Sequence, residues 1–228
     1  MSKVQENSTM EAARAAVYSL LAALLTQNLS SENLQRLLSN ESIGHLKALF
    51  PDEDIDDAFR QLIDDYEAGV LTAENIMLDF EALMRIPGPA YTYPYESSYR
   101  SRKIDNDRVR WGYFNGQQAG EVQRFYQDES LAVENDSADF PDHIGVEMEF
   151  MAHLCCKLAA ALNSGNRKTA EEVQATQVEF FRGHLCCWLD AFAAEMRKKA
   201  TTGFYRCLGD ILMAFKAEEE RILVSEAA

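Results

Sequence analysis

The sequence predicts an all-α fold: one domain over residues 1–228, a bundle of about ten helices interrupted by a long tyrosine-rich loop. Three observations carry that expectation. Apolar residues recur at i, i+3, i+4 and i+7 along most of the chain. Three of the five prolines, Pro87, Pro89 and Pro94, crowd into eight residues, so helix breakers are confined to one region. No alternating stretch reads as a strand, and neither an internal repeat nor a low-complexity tract interrupts the pattern.

The elements follow in order. Ser8 and Glu11 have capping-box spacing ahead of Val17, Leu20, Leu21, Leu24 and Leu25, a helix ending near Gln27. Ser30 or Ser31 caps a short helix carrying Leu34, Leu37 and Leu38, and Ile43, Leu46, Leu49 and Phe50 mark another that Pro51 stops. Acidic residues from Asp52 to Asp57 suit the positive end of a helix running through Phe59, Leu62, Ile63 and Tyr66 to Gly69. Thr72 and Asn75 open the next helix, which Pro87 terminates. Residues 87–106, with four tyrosines and no helical period, read as a loop; such length inside a compact chain points to function. Val122, Phe125 and Tyr126 mark a helix, and residues 129–140 are a linker or hinge. Asp139 then caps a helix with Pro141 in its first turn, running to about Leu162. Ala170 to Lys199 and Phe204 to Val224 complete the set.

With 47% hydrophobic and 26% charged residues the composition is that of a globular chain. A net charge of −15 repels phosphates and argues against nucleic acid or an anionic membrane as partner, while attracting cations. No run is long and apolar enough for a membrane span, and the first residues lack the apolar stretch of a secretory signal, so a cytoplasmic protein is expected. Five cysteines, four of them as the adjacent pairs Cys155-Cys156 and Cys186-Cys187 in helical patterns, fit a reducing compartment. Between Arg100 and Arg110 five basic residues face two acidic ones, a local +3 suited to a phosphate-bearing ligand or to surface salt bridges.

Nucleotide-binding, metalloprotease, thioredoxin-like and serine-hydrolase signatures are absent. His143 and Glu147, four apart on one helical face, are the best metal-ligand spacing, and with the nearby cysteines they define an alternative reading: a metal- or thiol-dependent enzyme. Asp142 and His143 at a helix start make a polar, anion-tolerant terminus, for which plain capping is the competing explanation. The expected site lies where the loop Tyr93 to Tyr99 meets Asp142 and His143, because both segments carry polar groups that a core does not need.

Three segments taken together resemble the TorD/DmsD family of cytoplasmic redox-enzyme maturation chaperones. They are Tyr93-Pro94-Tyr95-Glu96-Ser97-Ser98-Tyr99, the helix start from Pro141 to Met151, and Phe180 to Leu189. The family's E-P-x-D-H signature is matched at Asp142 and His143 and departed from at Asp139 and Phe140. The resemblance implies a non-enzymatic, all-helical chaperone, monomeric or dimeric, with no cofactor of its own. Its partner would be a molybdenum oxidoreductase precursor, bound through the twin-arginine leader or the body until bis(molybdopterin guanine dinucleotide) is inserted, ahead of Tat export. The molybdenum cofactor itself, or the proteins that make it, are further partners the resemblance allows. The client-binding residues it implies are Tyr93, Tyr95, Glu96, Ser97, Tyr99, Asp142, His143, Glu147, His184 and Trp188.

Overall fold

A computed structural model of the chain describes residues 3–39, 42, 53–105, 108–132 and 140–225. Among these the all-α expectation holds. The helices are α1 (Lys3–Thr26), α2 (Ser31–Leu37), α3 (Glu53–Glu67), α4 (Ala73–Phe80), α5 (Glu96–Arg100), α6 (Gln117–Asp128), α7 (Ile144–Ser164), α8 (Arg167–Gly183), α9 (Leu185–Lys199) and α10 (Gly203–Ser225). A π-helical turn, Glu81–Arg85, extends α4, and the strands β1 (Lys103–Asp105) and β2 (Arg108–Arg110) form a small antiparallel ribbon. The backbone divides into two compact units. One comprises Met1–Thr26, Pro94–Trp188 and Leu223–Ala228, the other Gln27–Tyr93 and Leu189–Ile222.

In the first unit α1 packs along α7, and α7 along α8. Tyr18, Leu21 and Leu25 of α1 are buried, as are Ile144, Met148, Met151, Leu154 and Cys155 of α7. Gly145 permits the close approach of the two helices, since a Cβ there would lie 2.1 Å from Thr26 Cγ2. Phe150, Phe180, Phe125 and Tyr126 add a ring cluster, with Phe150 and Phe180 centroids 4.6 Å apart. Burying several such rings is a large part of what holds a unit of this kind together.

Five expectations are corrected here. The helix does not begin at a Ser8 cap. It starts at Lys3, and Glu11 is instead buried against Arg14 (2.7 Å) and Gln177 (3.1 Å). Tyr18 belongs to the buried stripe and Leu20 is outside it, because 100° per residue centres the face on positions 18, 21 and 25. Residues 87–106 are not one loop, for they contain α5 and β1, whose short spans leave no periodic signal. The helix expected from Ala170 to Lys199 breaks at His184 (φ −122°, ψ −90°), where the ring is drawn off to Glu96. Finally α7 starts at Ile144 with His143 as its N-cap, so Pro141 and Asp142 precede it. Asp139, most of the 129–140 linker and the helix expected over Ile43 to Phe50 lie outside the described residues.

In the second unit, Thr72 and Asn75 form the expected capping box of α4, and Ser30 caps α2. Phe59, Leu62, Ile76, Phe80, Leu189, Phe192, Phe204, Leu208 and Leu212 are buried. Asp79 ties α4 to the start of α10, accepting from the Thr202 N–H (2.8 Å), the Thr202 hydroxyl (2.7 Å) and the Thr201 N–H (3.1 Å). Burial pushes the Cys207 thiol up to about 12, reinforced by Asp210.

Candidate functional site

Local sequence explains how the first unit gathers its polar residues. Pro94 and Tyr95 run extended beside the start of α7. Tyr95 forms an isolated antiparallel bridge with His143, and the Pro94 carbonyl accepts from the Ile144 N–H (2.9 Å). The Asp142 carbonyl accepts from the Glu96 N–H (2.9 Å), and its Oδ2 accepts from the Ser97 N–H (2.8 Å). Asp142 therefore caps α5, an element 45 residues away in sequence, rather than its own helix. His143 Nδ1 accepts from the Gly145 N–H (3.1 Å) and its ring packs edge-on against Tyr95.

From α5, Glu96 reaches two partners. His184 Nδ1 donates to Oε2 (2.8 Å), and Arg100 Nη1 donates to Oε1 (2.8 Å) and also to the Gly183 carbonyl (3.0 Å). Trp188 Nε1–H donates to Glu147 Oε2 (3.2 Å), and Tyr99 packs against Trp188 with centroids 5.3 Å apart. Ser97 Oγ accepts from the Gly116 N–H (3.0 Å). Nine of the ten residues expected from the sequence thus form one network in the first unit. Tyr93 belongs to the second unit, left-handed at φ 54°, edge-on to Tyr91 and 6.0 Å beneath the Lys199 ammonium.

All nine are buried, Glu96, Ser97, Asp142 and Glu147 completely. Asp142 Oδ1 and Glu147 Oε1 have no hydrogen-bond partner. Desolvation raises the Asp142 carboxyl above its ordinary value against the lowering effect of its Ser97 hydrogen bonds. Glu147 is pushed well up, first by burial and then by Glu96, with the Trp188 hydrogen bond opposing. Burial and then the Glu147 charge raise the Tyr126 phenol, whose O–H donates to the Pro141 carbonyl at 2.8 Å. Asp142 and Glu147 thus share a low-dielectric interior that favours their protonated forms over ionisation.

Sequence reasoning missed Arg100 and Tyr126. Arg100 was signalled by its i+4 spacing from Glu96; Tyr126 had no signal, since its partner is a backbone carbonyl. His143 Nδ1 accepts from the Gly145 N–H and Glu147 Oε2 from Trp188 Nε1–H, and among the described residues no group of three or more His, Cys, Asp or Glu gathers as a metal site. All five cysteines are thiols rather than halves of disulfides. No helix among the described residues is long and apolar enough to cross a membrane.

The model of the family described as nitrate reductase delta subunit matches residues 51–194. Chaperone protein TorD of Vibrio cholerae serotype O1 (strain M66-2) is 23% identical over 227 residues, covering 96% of each chain. Chaperone protein TorD of Photobacterium profundum is 24% identical, covering 98% of this chain and all of that one. The chlorate reductase assembly chaperone protein of Ideonella dechloratans is 35% identical over 82 residues, 36% of this chain and 42% of that one. No solved structure matches. A family model covering well over half the sequence, joined by end-to-end similarity to the TorD proteins, shows that this chain belongs to the nitrate reductase delta subunit family, within the TorD/DmsD group of redox-enzyme maturation chaperones.

Proposed function

We propose that the protein is a non-catalytic cytoplasmic chaperone for a molybdenum oxidoreductase precursor, which binds the twin-arginine leader and holds the apoenzyme for cofactor insertion before Tat export. The observation that carries this reading is the end-to-end similarity to TorD chaperones. Two features support leader recognition. A guanidinium already sits on the network of the first unit, where Arg100 is shared between Glu96 Oε1 and the Gly183 carbonyl. A chain of −15 steers a basic segment toward itself. Because the network is buried, its carboxyl groups act by fixing α5 against the start of α7, while exposed acidic side chains of the chain meet the peptide.

Calorimetric titration with a peptide carrying an arginine pair ahead of an apolar stretch tests this, with a lysine-pair version as comparison. A guanidinium fork binds carboxylate and carbonyl groups together, which an ammonium cannot reproduce. The expected result is at least tenfold weaker binding of the lysine peptide, with the arginine peptide weakening as salt rises. Equal affinity for both peptides removes leader recognition.

A further inference from the structure

The ribbon β1–β2 stands out against the charge of the rest of the chain. Its register places Lys103 opposite Arg110, Ile104 opposite Val109 and Asp105 opposite Arg108. Like charges directly across an antiparallel pair repel, and among the described residues neither Lys103 nor Arg110 closes an ion pair. The pleat sends alternate residues to opposite faces, so Ile104 and Val109 share the other face, 65% and 37% exposed. Among the described residues no third strand pairs with either edge.

The base of the ribbon is held firmly. A Cβ at Gly112 would lie 1.9 Å from Ser101 Oγ, which also accepts from the Tyr113 N–H at 3.0 Å, and Trp111 packs edge-on against Tyr99 at 5.0 Å. A two-stranded ribbon is marginal alone, so a rigid base with two open edges presents a prepared template for an added strand.

We infer that the ribbon is a docking surface for an extended protein segment that alternates acidic and apolar residues, bound as a third strand. Period-2 alternation puts the acids of such a segment on the face of Lys103 and Arg110 and its apolar side chains on the face of Ile104 and Val109. Cationic edge residues discourage pairing with neutral or basic strands. An acidic strand is the one those charges select. Nucleic acid is disfavoured, because its continuous phosphates run past the ribbon into the −18 carried outside residues 100–110, the total of −15 less the local +3, whereas a short acidic strand is confined to the ribbon. The basic leader of the preceding reading is repelled by the same pair, so this surface stands or falls independently of it.

The test uses a fluorescein-labelled heptapeptide alternating Glu with Val or Ile, followed by anisotropy on the full chain. Saturable binding that weakens with salt is expected, reduced tenfold or more in Lys103→Glu/Arg110→Glu and in Ile104→Asp, with helicity and melting temperature unchanged. A peptide N-methylated at alternate residues, which loses its strand-pairing donors along one edge, is expected to lose binding to the wild-type protein as well. Absence of binding, equal binding by the double variant, retained binding of the N-methylated peptide, or equal affinity for a lysine-valine peptide or an oligonucleotide of matched charge each overturns the proposal.

Discussion

Glu147 shows how burial turns one residue into a pH-dependent element of stability. Its folded-state pKa is raised by desolvation and by Glu96, so between the ordinary value of 4.5 and the raised one the folded protein holds a proton that the unfolded chain has released. Stability from this residue is complete below the ordinary value and is lost as pH climbs through the raised one. Glu147→Gln keeps an acceptor for Trp188 Nε1–H and removes the titration. The variant is therefore expected to melt about 2–4 °C higher than wild type near pH 7.5, the shift that about 1 kcal/mol produces in a chain of this length, with the gap closing toward pH 4. Calorimetric melting across that range checks it, and a variant destabilised equally at every pH contradicts the buried-carboxylate account. Asp142 makes a companion case. Its removal as Asp142→Ala is expected to cost about 0.5–2 kcal/mol through the lost cap on α5, measured by urea denaturation. The sequence marked Asp142 and His143 as a polar pair at a helix start, and that was sound. Nothing local could show that Asp142 caps a different helix, because the Ser97 N–H is delivered to it only by tertiary folding.

At the scale of elements, the close passage of α1 and α7 rests on the absence of a side chain at Gly145. Gly145→Ala sets a methyl against Thr26 Cγ2 and is expected to cost about 1–3 kcal/mol, as overpacking does. Thr26→Ser removes that methyl and keeps the hydroxyl bond to the Ala22 carbonyl (2.8 Å), so the double variant is expected to recover most of the loss. Additive losses in denaturant unfolding contradict the contact. Most helices were readable from periodicity and caps: α4 with its Thr72 and Asn75 box, and α10 within a residue or so at each end. The failures share a cause. Ser8 and Glu11 have capping spacing, yet Glu11 is used inside α1 by Arg14 and Gln177, so a tertiary demand overrode a local signal. The break at His184 answers to Glu96, 88 residues away. The helix α5 and the strands β1 and β2 are too short to establish a period.

Across the whole molecule, charge separates by region: a basic ribbon on an otherwise strongly acidic chain, with a buried carboxyl network fastening the segment that leads to it. That arrangement suits a binding protein that sorts peptides by charge. The set of residues drawn from family resemblance coincides with the network at every position but Tyr93, and what the sequence could not convey is that these groups are internal. The most direct test of the chaperone reading is deletion of the coding sequence in its native cell, with bound molybdenum and activity measured for each exported molybdoenzyme. The account predicts that at least one of them loses both cofactor and activity and regains them on complementation; unchanged molybdenum content and activity in every such enzyme would contradict it.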